Sequence, residues 1–272
     1  MARFGGNGGG SWNMPDGKPY REPMFNLPTP ILFLGGLMVA IHVVREFLLS
    51  QKQDFDILLT FAFIPVRFND AVATGFSFPG GVFGDIWTFV SYAFLHGSWM
   101  HLILNLVWMA AFATVVLRRI GTSRFAAFFV VTAAAGALVH FFFHSDSMSP
   151  LVGVSAVLSG AMSASARFAF SGYGSWATAL QSTHRQPCLT LEQLRHNRQA
   201  VSFLAVWLAL NLIFGLLSIG GGGASIAWEA HLGGFAAGLF LFPYFDSFSQ
   251  GPRKPKEPKK KKADHSHIRV IK

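Results

Sequence analysis

The chain has 272 residues, of which 51% are hydrophobic and 13% charged, and it carries a formal net charge of +9 with one cysteine, Cys188. A charged share well below the usual value of about 25% excludes intrinsic disorder, which needs low hydrophobicity and high charge. A single cysteine excludes an intrachain disulfide scaffold.

In chain order, residues 1–26, with Gly5, Gly6, Gly8, Gly9 and Gly10, predict a flexible arm. Six apolar runs follow: Leu27–Leu49, Ser98–Leu117, Arg124–His144, Val152–Phe170, Ala200–Ile219 and Ile226–Phe245. A helix rises about 1.5 Å per residue, so about 20 apolar residues cross a hydrocarbon core of about 30 Å. The fold expected is therefore an all-α membrane protein, with residues 27–246 as a bundle of six transmembrane helices. Arg45 and Glu46 fall near the end of the first run, where long side chains snorkel to the interface. The fourth and sixth runs are shorter and rich in small residues. Between the first two runs, Phe55–Phe68 is apolar but short, and Phe76–Gly84 is broken by Pro79, Gly80 and Gly81. Such a segment predicts a structured first outer loop, half inserted in the membrane. No cleavable leader is expected, because the first apolar run starts only at Leu27 and no small-residue cleavage site follows it.

Loop charges predict the orientation, because cytoplasmic loops are enriched in Lys and Arg. Arg118, Arg119 and Arg124 follow the second run, and Arg185, Arg195 and Arg198 follow the fourth. The arm holds Arg3, Lys18 and Arg21. Residues 251–272 hold nine Lys and Arg against Glu257 and Asp264, a net +7 of the total +9. The remaining segments are acidic or neutral, including the four glycines Gly220 to Gly223. Both termini are thus expected in the cytoplasm, with residues 247–272 a basic tail that touches anionic lipid headgroups. Its position beside the last span accounts for the basicity without a nucleic-acid partner.

Polar groups inside spans are costly and mark function. His96 leads into the second run, which holds His101 and Asn105 on one helix face. Ser149 and Pro150 lead into the fourth, which begins with Gly153 and Ser155, and the sixth begins with Glu229, His231, Gly233, Gly234 and Gly238. In the topology above, all three clusters fall in the outer part of the bilayer. A serine hydroxyl becomes a nucleophile when a base takes its proton, and neutral histidine is the usual base. Ser155 stands near a helix start, where backbone N–H groups lack intrahelical partners and can donate to a developing oxyanion. His101 and Asn105 can add donors to the same hole. The small residues Gly234 and Gly238 on the sixth helix, and Gly153, Ala156 and Gly160 on the fourth, let these helices approach closely. That approach would bring His231 to Ser155. His42, His140 and Ser159 read as helix-packing groups, Asn211 as a hydrogen bonder across helices, and Glu229 as a solvated boundary residue. No metal ligand set is evident in the spacing, and no cofactor is expected.

At these residues the chain resembles the rhomboid family of intramembrane serine proteases. The resemblance rests on His96, His101 and Asn105, on Gly153-Val154-Ser155, and on Ala230-His231-Leu232-Gly233-Gly234 with Gly238. It implies a six-helix bundle with Ser155 as nucleophile and His231 as general base, without an acidic third member. The oxyanion hole would comprise the Ser155 N–H, His101 and Asn105, with His96, Gly153, Gly234 and Gly238 in support. It further implies hydrolysis of peptide bonds in or near transmembrane helices of membrane-protein substrates. The absence of an Arg- and Ser-rich leader points to a bacterial plasma membrane. The chain departs from the family pattern in three places. Ala156 follows the serine where glycine is usual, Ser159 replaces an aromatic, and Thr88 follows Trp87 in place of arginine. Two rival readings are an inactive rhomboid-like protein that binds transmembrane helices, and a small transporter. The first lacks a reason for keeping both Ser155 and His231. The second expects polar residues through the whole membrane depth.

Overall fold

The structure, a computed structural model, describes residues 27–69, 72, 76–171, 187–218 and 227–246. The N-terminal arm, the basic tail, Arg185 and the run Gly220–Gly223 lie outside the described residues. Among the described residues the helices are α1 (Thr29–Leu48), α2 (Gln51–Phe61), α3 (Gly81–Ser91), α4 (Trp99–Ile120), α5 (Thr122–His144), α6 (Ser155–Ala169), α7 (Leu191–His196), α8 (Arg198–Ser218) and α9 (Trp228–Phe245). They contain no strand; one isolated antiparallel bridge joins Phe63 to Leu151.

Local chemistry sets the helix ends. Ser50 and Gln53 form a reciprocal capping box at the start of α2. The Ser98 hydroxyl accepts from the His101 N–H at 3.2 Å and so opens α4. Gly121, at φ 80°, closes α4 and lets α5 turn back.

By length and composition, α1, α4, α5 and the stretch Arg198–Gly215 of α8 can cross a membrane. Helix α6 has 15 residues and α9 has 18. At about 1.5 Å per residue, α6 extends only about 22 Å. These two helices are central instead. Every residue of α6 from Ala156 to Ala169 is buried, whereas α1 exposes Phe33, Phe47 and Leu48.

Close contact between α6 and α9 rests on glycine. A Cβ on Gly234 would strike the Ala156 carbonyl, and one on Gly238 the Gly160 carbonyl. The Ser163 hydroxyl donates across the same seam to the Phe235 carbonyl at 2.7 Å. On its other side α9 packs against α5, where Gly233 lies on the Ala135 carbonyl. Below the seam, Arg119 at the end of α4 pairs with Asp246 just after α9, at 2.7 Å. Both side chains are fully buried, and the guanidinium lies 4.4 Å over the Phe168 ring. Arg119 counts toward the topology rule by sequence, yet it is a fully paired internal clamp.

The first loop is built on Arg67. Its guanidinium donates to the Leu59 carbonyl at 2.7 Å and to the Pro79 carbonyl and Asp85 carboxylate at 3.4 Å, under the Phe78 ring. Trp87 Nε1 donates to the Thr60 carbonyl at 2.8 Å. Thr88 is fully buried, and its hydroxyl donates to the Asp85 carbonyl at 3.2 Å. Arg67 therefore ties α2 to α3 from within the loop. Arg45 is held by Asp54 on α2, which supplies a counter-charge at 2.6 Å, and by the His96 carbonyl, which a second donor reaches at 2.9 Å.

Candidate active site

Gly153 sets the entry to α6. Its φ of 107° is a conformation that disfavours any residue with a Cβ, and its N–H donates to the Tyr92 carbonyl at 3.0 Å. The next two residues are Val154, which precedes the helix, and Ser155, its first residue. A Cβ on Gly153 would meet His101 Nε2 at 2.7 Å and Asn105 Nδ2 at 3.4 Å. The α4 side chains therefore lie directly beside the turn that carries the serine. Asn105 is buried, and its Nδ2 has no hydrogen-bond partner among the described residues. A buried, unspent N–H donor is expensive to keep, and here it faces the start of α6. The His96 ring packs edge-on against His101 at 5.1 Å between centroids.

From α9, His231 Nε2 lies 2.8 Å from Ser155 Oγ. Its Nδ1 lies 2.6 Å from Asn211 Oδ1 on α8, and Asn211 Nδ2 donates to the Trp228 carbonyl at 3.1 Å. These three bonds fix the tautomer. The Trp228 carbonyl can only accept, so the amide N–H₂ of Asn211 must face it and Oδ1 must face the imidazole. His231 Nδ1 is then the N–H donor, and Nε2 presents a lone pair to the serine hydroxyl. The contacts join the first residue of α6, the first turn of α9 and the middle of α8. Asn211 is the site residue that sequence reasoning missed: a lone asparagine inside an apolar run carries no sign of which helix it meets.

Two other departures have local explanations. The Ala156 methyl faces Gly136 of α5, where a Cβ would come within 2.5 Å of it. The small partner makes room for the extra carbon. The Ser159 hydroxyl donates back to the Ser155 carbonyl at 2.8 Å within α6.

Glu229 corrects the sequence reading. It is 2% exposed rather than solvated. Its Oε1 lies 2.7 Å from His140 Nδ1 and 3.0 Å from His144 Nε2, both on α5. The sequence separation of nearly ninety residues hid this cluster, because only the packing of α9 on α5 assembles it.

With this geometry in view, residues 84–246 match the family model of the Rhomboid domain. The chain belongs to the rhomboid family. It is similar to proteins named Rhomboid protease GlpG from Yersinia pestis (strain Pestoides F) and Yersinia pseudotuberculosis serotype O:3 (strain YPIII). Each is 29% identical over 157 residues, which cover 58% of this chain and 47% of the relative. The counterpart from Yersinia enterocolitica serotype O:8 / biotype 1B has the same identity and coverage. The chain thus spans about half the length of the curated relatives it matches. The matched Rhomboid domain contains the Ser155–His231–Asn211 chain of contacts, together with His101 and Asn105. Family membership and the apolar helices make this an integral membrane protein.

Proposed function

We propose that the chain is an intramembrane serine endopeptidase that hydrolyses peptide bonds in or near transmembrane helices of membrane-protein substrates. The observation that carries this reading is the 2.8 Å contact between His231 Nε2 and Ser155 Oγ, with His231 oriented from behind by Asn211. In the proposed reaction, Ser155 Oγ attacks the scissile carbonyl carbon as His231 Nε2 takes the hydroxyl proton. The Nδ1–H bond to the Asn211 amide oxygen holds the ring in place without accepting a full charge. The oxyanion that forms is met by the Ser155 N–H at the start of α6, by the free Nδ2 of Asn105 and by His101. His231 then returns the proton to the leaving amine. A water attacks the acyl-serine by the same route, with His231 as base, and releases the second product.

The same reading extends to the membrane. Helices α1, α4, α5, α6, α8 and α9 would be the six spans, with both termini in the cytoplasm of a bacterial inner membrane. The α2–α3 loop would lie half inserted at the outer face. Short α6 would start below that face, which leaves a polar opening through which water reaches Ser155. The basic tail would rest on anionic headgroups. A fluorophosphonate probe tests the nucleophile. Wild type should be labelled covalently, and Ser155→Ala and His231→Ala should not. Equal labelling of wild type and Ser155→Ala would contradict the assignment.

A further inference from the structure

We propose that His140, His144 and Glu229 form a zinc-binding site that ties the end of α5 to the first turn of α9. The two histidines are four residues apart on α5 and so share one face. Glu229 enters from the facing helix, and the three candidate ligand atoms all lie within 4.8 Å of one another. Two imidazole nitrogens and one carboxylate are a donor set suited to Zn²⁺, and three protein ligands leave a fourth position for water. The exposure pattern fits that arrangement. The side chains of Glu229 and His140 are 3% and 10% exposed, whereas that of His144 is 47% exposed and opens the cluster to solvent.

Charge supplies the second argument. A buried carboxylate needs a compensating charge, and the ion-pair partners of Glu229 among the described residues are these two imidazoles. A divalent cation in their midst supplies both coordination and charge. Bonds of about 2.0–2.1 Å in a tetrahedral site place ligand atoms about 3.4 Å apart. To reach that spacing the 2.7 Å contact opens by about 0.7 Å and the 3.0 Å contact by about 0.4 Å, while the separation of the two imidazole nitrogens, within 4.8 Å, adjusts toward the same value. On binding, His140 presents the Nδ1 lone pair and His144 the Nε2 lone pair, and each ring keeps its proton on the other nitrogen. Glu229 lies two residues before His231, so the ion would steady the helix turn that carries the imidazole facing Ser155.

The test uses the full chain purified in detergent, with the tail residues His265 and His267 changed to alanine to remove a competing pair. Zn²⁺ binding is measured by equilibrium dialysis, and Co²⁺ is added separately as a spectroscopic probe. The proposal predicts one Zn²⁺ per chain and a visible Co²⁺ band of tetrahedral type. Outer-shell changes at metal sites cost about 10–100-fold in affinity, so loss of a ligand should cost more than about 100-fold in His140→Ala, His144→Ala and Glu229→Gln. His144→Ala leaves the buried His140–Glu229 pair in place, and unchanged helicity by circular dichroism shows that it still folds. Absence of Zn²⁺ binding by the parent chain, or equal binding by the parent and folded His144→Ala, would overturn the proposal. Ser155→Ala should bind Zn²⁺ as the parent does, since the site does not depend on the nucleophile; loss of binding there would also overturn it.

Discussion

Helices α1 and α6 meet opposite demands. Helix α1 is long, apolar over most of its length and exposes Leu32 and Phe33 at 57% and 68%. Helix α6 is short, composed largely of alanine, serine and glycine, and is buried along almost its whole length. The contrast shows where membrane proteins place chemistry. A helix that faces lipid is selected for hydropathy, whereas one surrounded by other helices is selected for close packing and can carry polar groups. The groups at the candidate site come from α4, α6, α8 and α9, on the faces these helices turn toward each other.

That contrast can be broken by substitution. The largest effect is expected at the buried clamp: Arg119→Ala removes the counter-charge 2.7 Å from the fully buried Asp246 carboxylate and should cost about 3–5 kcal/mol. Loss of folded protein in a detergent-melting assay would report it. Next comes the seam, where Gly234→Leu drives a side chain into the Ala156 carbonyl. Overpacking of that kind should cost about 1–3 kcal/mol and lower Tm in the same assay. A smaller effect, on rate, is expected for Asn211→Ala. Loss of the bond that orients His231 should reduce kcat about 10- to 100-fold, part of the usual contribution of a general base. KM should hold, with a modest fall in Tm because His231 Nδ1–H and the Trp228 carbonyl lose a partner; an unchanged kcat would contradict the orienting role. The smallest effect belongs to α1. Leu32→Ala should change stability by less than about 0.5 kcal/mol, because that side chain faces lipid whether or not the helices are packed. A large loss there would erase the contrast.

Legibility in the sequence followed the same division. The helices α1, α4, α5 and α8 were readable because lipid exposure forces long apolar runs. Helices α6 and α9 were readable as shorter apolar runs rich in small residues, and their polar groups marked them as the helices that carry the chemistry. Ser155, His231, His101 and Asn105 stood out because few other polar groups share their runs. Partners joined only by tertiary packing stayed hidden. Asn211 carried no mark of its contact with His231, Glu229 looked like a boundary residue, and Arg67 and Arg119 looked like ordinary loop cations. Each of these is defined by what it meets across helices, which spacing along one chain does not encode.

The most direct test of the central claim is cleavage of a reporter transmembrane helix in proteoliposomes by wild type, Ser155→Ala and His231→Ala, with folding checked by circular dichroism. The account predicts cleavage by wild type and loss of more than about 100-fold in each folded variant. Cleavage at an unchanged rate in both variants would contradict it.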